Sequence, residues 1–407
     1  MRRWIIVCLL GLGMVIAYID RSNISVALAD PSFKALFHLT DADRGLLNSA
    51  FFWTYALLQI PAGFLVDRFG VKRPYTVAFS FWCLVSAATA FAGSFAVLLS
   101  LRLLLGIGES LVTPASLRWI RYNMDESHRG LALGVYMSGT KFGPAVGAWA
   151  ASMLIQSYGW RPMFVILGLG CLVWLIPWQL LVRDDDQALA AAAAARGGAA
   201  KTIPFMALLR TPLLWGVLLG TFCYNYFVYF SMTWLPAYFV EHRGLDFSHM
   251  GAFTAFSFGG MATVAILAGW AADRLIARGA DPVRTRKAFT IAGFVIASTE
   301  VIGAMSPSTD VAVFFAILSL TGLGLATANY WALTQTLVPG AGIGAIGGAQ
   351  NMASNMAGIV APMLTAWLKT ATGSYTAPMQ AIWVFLIVGI GSYLFLVRPK
   401  YAVYRTV

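Results

Sequence analysis

Charge is what this chain has least of. Of its 407 residues only 11% are Asp, Glu, Lys or Arg, where a soluble domain carries about 25%. That deficit excludes an ordinary soluble enzyme, a disordered chain and a nucleic-acid binder. Cysteine and histidine are scarce too, four of each. Cys8, Cys83, Cys171 and Cys223 all fall within apolar runs, so neither a disulfide framework nor a metal site is indicated. His38, His128, His242 and His249 lie in or beside expected loops, without ligand spacing. No stretch alternates apolar and polar residues as a barrel strand would. A small-residue cleavage site after Arg2 and Arg3 is also lacking. The apolar run there flows on through Tyr18 and Asp20 to Ala29, and reads as a first span rather than a leader.

What the chain has in quantity is apolar length. Hydrophobic residues make up 59% of it, and the mean hydropathy is +0.73. A helical span needs about 20 mostly apolar residues. Twelve windows qualify: 4–29, 45–66, 74–93, 95–119, 130–157, 162–182, 207–238, 249–271, 288–305, 311–337, 342–368 and 377–397. The expectation is an all-α membrane protein of twelve transmembrane helices. Pro61, Pro114, Pro144, Pro177, Pro236 and Pro362 interrupt several of them, which membrane helices tolerate when neighbours satisfy the freed backbone groups.

The net charge of +11 is topological rather than a sign of a polyanion partner. With the N-terminus inside, twenty Lys and Arg residues fall in inner loops and termini. Five (Lys34, Arg44, Arg161, Arg243 and Lys369) fall outside. That bias orients a protein in the plasma or inner membrane with both termini cytoplasmic. Between windows six and seven, Asp184–Asp186, an alanine run and Gly197–Gly198 form a solvated linker. It divides a bundle over 1–182 from one over 207–407, with the linker at 183–206. An internal repeat supports the division: Gly63 to Arg68 closes window two and Gly269 to Arg274 closes window eight, 206 residues later. Two parallel six-helix halves with a site between them are a transporter architecture.

These residues also carry a family resemblance. Gly63-x-x-x-Asp67-Arg68-x-Gly70-x-Lys72-Arg73 resembles the loop signature of the major facilitator superfamily, and the copy at Gly269 through Asp273 and Arg274 fits it again. Tyr18-Ile-Asp20-Arg21-Ser-Asn, with Arg102-x-x-x-Gly106-x-Gly108-Glu109-x-x-x-x-Pro114, resembles the anion:cation symporter branch. That branch holds bacterial sugar-acid and aromatic-acid permeases and the animal vesicular glutamate and sialic acid carriers.

Charge inside a span costs at least ~2.5 kcal/mol on insertion scales and is a functional signal by default. Asp20, Arg21, Arg102, Glu109, Lys141 and Glu300 are such residues. Arg102 and Glu109, seven apart, share a helix face, whereas consecutive Asp20 and Arg21 diverge by about 100°. A proton-coupled anion carrier needs a cation for the substrate carboxylate and an acid whose protonation follows occupancy. Arginine suits the first task by its permanent, planar charge. A carboxylic acid suits the second, because burial favours its neutral form and a neighbouring arginine its charged one.

The resemblance implies that Asp20 and Glu109 carry protons, that Arg102 is their electrostatic partner, and that Arg21 contacts the substrate carboxylate. The alternative is that Arg102–Glu109 and Asp20–Arg21 are fixed ion pairs holding helices together. Lys141 adds a cavity cation, or else snorkels or pairs with an acid of the first span, and Glu300, near the outer loop, is expected to snorkel or to sit at an interface, outside the site. Overlaying the motifs brings Tyr18 and Tyr55, and more loosely Thr140, onto binding positions. Tyr224, Asn225, Tyr330, Gln335, Asn351 and Asn355 are candidates to read substrate hydroxyls from the second half, or else make interhelical hydrogen bonds. Gly63 is expected to permit close packing at the end of window two. Asp67 with Arg68, and Asp273 with Arg274, are expected to latch the cytoplasmic side.

The leading expectation is symport of a small organic anion with protons, by a monomer in the lipid bilayer, without ATP or a bound cofactor. A competing one is an antiporter exporting lipophilic compounds, since Gly139-x-x-x-Gly143-Pro144-x-x-Gly147 resembles the antiporter motif of drug exporters, apart from Ala148. A membrane enzyme or sensor is the third, and no nucleophile–base pair or phosphate loop supports it. Sodium in place of protons stays open.

Overall fold

The computed structural model describes residues 2–183, 210–338 and 340–401; the expected linker, Arg183 apart, lies outside them. Twelve long helices run in order: α1 Arg2–Ala27, α2 Asp41–Phe69, α3 Lys72–Phe91, α4 Phe95–Asn123, α5 Glu126–Tyr158, α6 Trp160–Leu181, α7 Pro212–Thr233, α8 Phe247–Ala277, α9 Pro282–Met305, α10 Thr309–Leu337, α11 Gly340–Thr372 and α12 Thr376–Phe395. No strand occurs among the described residues. Ten of these helices are long and apolar enough to cross a membrane. The other two, α5 and α11, are 33 residues each and pack against α1 and α7. The all-α, twelve-helix expectation holds.

Helix ends follow local chemistry more than hydropathy. Thr40 and Asp43 form a reciprocal capping box, which satisfies two free N–H groups and starts α2 at Asp41, ahead of the apolar window at 45. Asp281 caps α9 and Pro282 opens it, so this helix begins through Arg284, Arg286 and Lys287, where hydropathy sees no span. Proline accounts for the breaks. Pro114 has no N–H for the carbonyl of Ser110, and α4 is interrupted at Ser110–Leu111. Pro236 stands likewise four residues beyond Met232, and α7 ends at Thr233.

The chain forms two compact units. The first comprises α1–α6 with Pro236–Ala255, and the second comprises α7 and Phe256 onward. Within the first, α1 lies along α5, α2 along α4 and α3 along α6; within the second, α7 lies along α11 and α9 packs on α10 and α12. The pairings α1–α5 with α7–α11, and α3–α6 with α9–α12, repeat in the same order. The α3–α6 seam is aromatic, with Phe79, Trp174 and Trp178 stacked at 4.3 and 4.9 Å between ring centres.

The two ends of the first unit carry separate polar networks. At one, the buried guanidinium of Arg44 meets Asp41 at 3.0 Å and Glu241 at 2.9 Å, and Glu241 also takes Lys34 at 2.5 Å. At the other, Arg2 donates to the carbonyl of Leu181, Lys72 to that of Gln179, and Arg3 pairs with Asp125.

Candidate functional site

In the first unit the buried charges converge. Arg21 and Glu109 join α1 to α4 through Nε–Oε2 at 2.6 Å, with 2% and 0% of their side chains exposed. The Arg21 guanidinium lies 4.4, 4.8 and 4.5 Å from the ring centres of Tyr18, Phe51 and Tyr55, a cation–π box that only a planar cation fills this way. Thr113 Oγ1 stands 3.4 Å from the hydroxyls of both Tyr55 and Tyr136, fixing one wall of the box. The break in α4 sets Glu109 in place, since it is the last residue of the regular segment before Ser110. Its approach depends on Gly106, where a Cβ would lie 2.3 Å from the Phe51 carbonyl oxygen, and on Gly108, where a Cβ would lie 2.9 Å from Trp82. Any side chain at Gly106 pushes α4 off α2 and the carboxylate away from Arg21.

Asp20 turns the other way, as its offset from Arg21 requires. Its Oδ1 accepts from Ser86 Oγ at 2.6 Å and from Asn23 Nδ2 at 3.4 Å, and its Oδ2 is buried without a hydrogen-bond partner, as is Glu109 Oε1. Arg102 donates to backbone carbonyls, from Nε to Leu47 at 3.3 Å and from Nη1 to Asp20 at 3.5 Å. The ion pair therefore joins Arg21 to Glu109, neither of the two pairs that spacing along the chain suggested. Arg102 faces Phe51, 5.5 Å from its ring centre; its hydrogen bond to Asp20 is to the main chain, and its charge interacts with both the Asp20 and Glu109 carboxylates.

The glycines of α5 have a packing role. A Cβ on Gly139 would fall 2.7 Å from the Gly11 carbonyl oxygen, one on Gly143 2.3 Å from Tyr18 Cβ, and one on Gly147 2.5 Å from Ser22 Oγ. This stripe lets α1 and α5 touch backbone to backbone, so the feature that resembled an exporter motif serves helix contact here. Thr140 and Lys141 sit on this helix, both half-buried.

In the second unit Tyr224 and Tyr330 meet at 4.8 Å between rings, and the Tyr224 hydroxyl hydrogen-bonds Thr327 Oγ1 at 2.7 Å. Asn225 donates back to the Thr221 carbonyl of its own helix. Asn355 is buried and Asn351 half-buried, while Gln335 is exposed. Sequence reasoning missed Gln350, fully buried and donating to Thr221 Oγ1 at 3.1 Å; its place in the row with Asn351 and Asn355 was the available signal. Glu300 does not snorkel. It is 4% exposed and accepts from Ser319 Oγ at 2.5 Å, an α9–α10 contact.

The loop signatures pair within their own units. Asp67 accepts from Arg118 of α4, and Asp273 from Arg286 at 2.7 Å; Arg68 and Arg274 lie over the rings of Phe69 and Trp270. Gly63 lies near the end of α2. Among the described residues a Cβ there would meet nothing within 4 Å.

The family profile of the Major Facilitator Superfamily matches residues 10–362. The chain belongs to that superfamily. It is a membrane transporter and not an enzyme. Among its relatives, a probable sulfoacetate transporter of Cupriavidus necator is 32% identical, over 97% of this chain and 94% of the relative. A D-galactonate transporter of Escherichia coli is 29% identical, over 97% and 96%. A bacterial homologue of the human lysosomal transporter Spinster, solved inward-facing and occupied, superposes with a TM-score of 0.81 at 18% identity, over 99% of this chain and 98% of that one, and shares the fold.

Proposed function

We propose that this major facilitator carries a small organic anion into the cell together with protons, as a monomeric secondary transporter of the inner membrane that works by alternating access between the six-helix halves 1–182 and 207–407. The observation that carries the reading is the Arg21–Glu109 pair inside its aromatic box. A substrate carboxylate that takes Arg21 must displace Glu109. The four buried charges Asp20, Arg21, Arg102 and Glu109 sum to zero, so an arriving anion leaves a net negative charge in low dielectric unless a proton arrives with it. Leaving a buried charge unpaired costs about 3–5 kcal/mol, which makes protonation of Glu109 the inexpensive response. Competition for one guanidinium is thus a coupling device in itself. Tyr18 and Tyr55 flank Arg21, and we assign them, with Lys141 and Thr140 of α5, to substrate recognition in the first unit. Tyr224, Tyr330, Asn351 and Asn355 are the groups we assign to substrate recognition in the second, with Asn225 and Gln335 in weaker positions.

The relatives named for sulfoacetate and D-galactonate favour an anionic head on a short polar body. Orientation with both termini cytoplasmic draws support from the basic-residue bias, and from Lys34, Arg44 and Glu241 meeting at one end of the first unit. The test uses proteoliposomes with an internal pH dye and a panel of sulfonates, sugar acids, small monocarboxylates and aromatic acids. One anion class should acidify the lumen, and Glu109→Gln and Asp20→Asn should each abolish that signal. Proton movement driven instead by lipophilic cations, in the opposite sense, would sink the reading in favour of export.

A further inference from the structure

A second polar chamber lies in the first unit, apart from the aromatic box. Asn23 of α1, Ser86 and Thr89 of α3 and Arg102 of α4 supply its polar wall, and Leu105 and Phe164 close it, around a cavity of about 10 Å³, room for about one water. The lining is otherwise aliphatic, and both Leu105 and Phe164 are buried, at 3% and 2% exposure. Ser86 is the hinge of the arrangement, because its hydroxyl lines the chamber while donating to Asp20 Oδ1 at 2.6 Å. Asn23 does the same from α1, reaching both Ser86 Oγ and Asp20 Oδ1 at 3.4 Å. Close by on α3, the indole N–H of Trp82 faces the Asp20 carboxylate, yet neither it nor Asp20 Oδ2 completes a hydrogen bond of good geometry. Buried polar groups without partners are the usual hosts of internal water. Three hydroxyl or amide groups beside an arginine suit water, whereas the guanidinium in the wall repels a sodium ion.

Position along the helices says where the chamber leads. Asn23 lies one turn from the end of α1, Thr89 begins the 3₁₀ turn that ends α3, and Phe164 lies in the second turn of α6. These three ends are the ones that the basic-residue bias turns outward. We infer that this chamber holds water and is a proton-entry path from the outer side to Asp20, separate from the route by which the anion reaches Arg21. The inference rests on the proton-coupled reading above, and it splits the traffic: protons pass within the first unit along Thr89, water and Ser86, while the anion meets Arg21 and Glu109.

Two measurements test it. Radiolytic hydroxyl-radical footprinting of the full chain in lipid needs no substrate: a bound water should mark Leu105 and Phe164 despite their burial, and Val85→Phe, which fills the chamber, should remove the marks. No labelling of the parent protein at either residue overturns the inference. The second compares Thr89→Val, which keeps the shape, loses the hydroxyl and does not touch Asp20, with the parent in proteoliposomes given sulfoacetate or D-galactonate. Net proton-coupled uptake should fall at least fivefold, while exchange of labelled for unlabelled anion at equal pH, which needs no net proton release, stays within twofold. Ser86→Thr should keep most of the coupled rate and Ser86→Ala should not. Equal coupled rates in Thr89→Val and parent, or an equal loss of uptake and exchange, overturn the path alone. A parent that accumulates anion without moving protons overturns the coupling reading, and the path with it.

Discussion

Glu109 gives one carboxylate oxygen to Arg21 and keeps the other without a partner, so the pair is tight but the acid is not saturated. Glu109→Gln removes the charge and leaves the Arg21 guanidinium buried beside a weaker acceptor. Breaking one side of such a pair costs about 3–5 kcal/mol, and the variant should melt several degrees below the parent in detergent. Adding the transported anion should restore more of that loss in Glu109→Gln than it adds to the parent, because the anion then supplies the missing charge. Equal ligand shifts in the two proteins would argue that Glu109 and substrate do not share Arg21. Arg21→Lys keeps the charge but loses the planar contact with Tyr18, Phe51 and Tyr55; uptake should fall at least about tenfold, read from initial rates at saturating anion. The charged residues were legible because charge in an apolar run is costly and stands out. Their pairing was not, because residues seven apart on α4 share a face without needing to touch, and the close approach of α4 to α2 at Gly106, which sets Glu109 within reach of Arg21, exists only in three dimensions. Ser86, Thr113 and Trp82 gave no signal, since spans carry hydroxyls and indoles at little cost.

At the scale of helices, two glycines from recognisable motifs make opposite predictions. Gly143 sits where a methyl group would lie 2.3 Å from Tyr18 Cβ and 2.8 Å from the Val15 carbonyl oxygen, while Gly63 faces open space. Gly143→Ala must part α1 from α5 and shift Tyr18 off Arg21; transport should be lost and the monodisperse yield in detergent reduced. Gly63→Ala should leave yield and melting temperature unchanged. A Gly143→Ala protein as stable and active as the parent would remove the α1–α5 contact from the account. The twelve helices were readable from apolar length alone, with ends shifted by a few residues. The two largest shifts among the described residues are six residues each, at the end of α8, which runs on to Ala277, and at the start of α9, where Asp281 and Pro282 begin a helix through three basic residues that a hydropathy window rejects. Caps and prolines act on the backbone, and hydropathy does not register them.

For the whole molecule, the sidedness of charge and the network of buried pairs have to agree. Lys34, Asp41, Arg44 and Glu241 come from stretches that the basic-residue bias puts on one side, and they meet at one end of the first unit. Arg2, Arg3, Lys72 and Asp125 come from the other side and meet different partners. Had the bias been misread by one span, some of these contacts would join residues assigned to opposite faces. The orientation itself is open to direct labelling, because Asp310 in the first turn of α10 and Arg278 after α8 are both exposed and fall on opposite sides in the proposed topology. In a Cys8→Ser background, a membrane-impermeant maleimide should label Asp310→Cys in intact cells and Arg278→Cys only after permeabilisation. The reverse pattern would turn the protein over in the membrane, and the chamber beside Asp20 would then lead to the cytoplasm. Because the gradients and not the orientation set the direction of a coupled flux, the anion would still enter with protons, and the chamber would then be their exit to the cytoplasm rather than their entry.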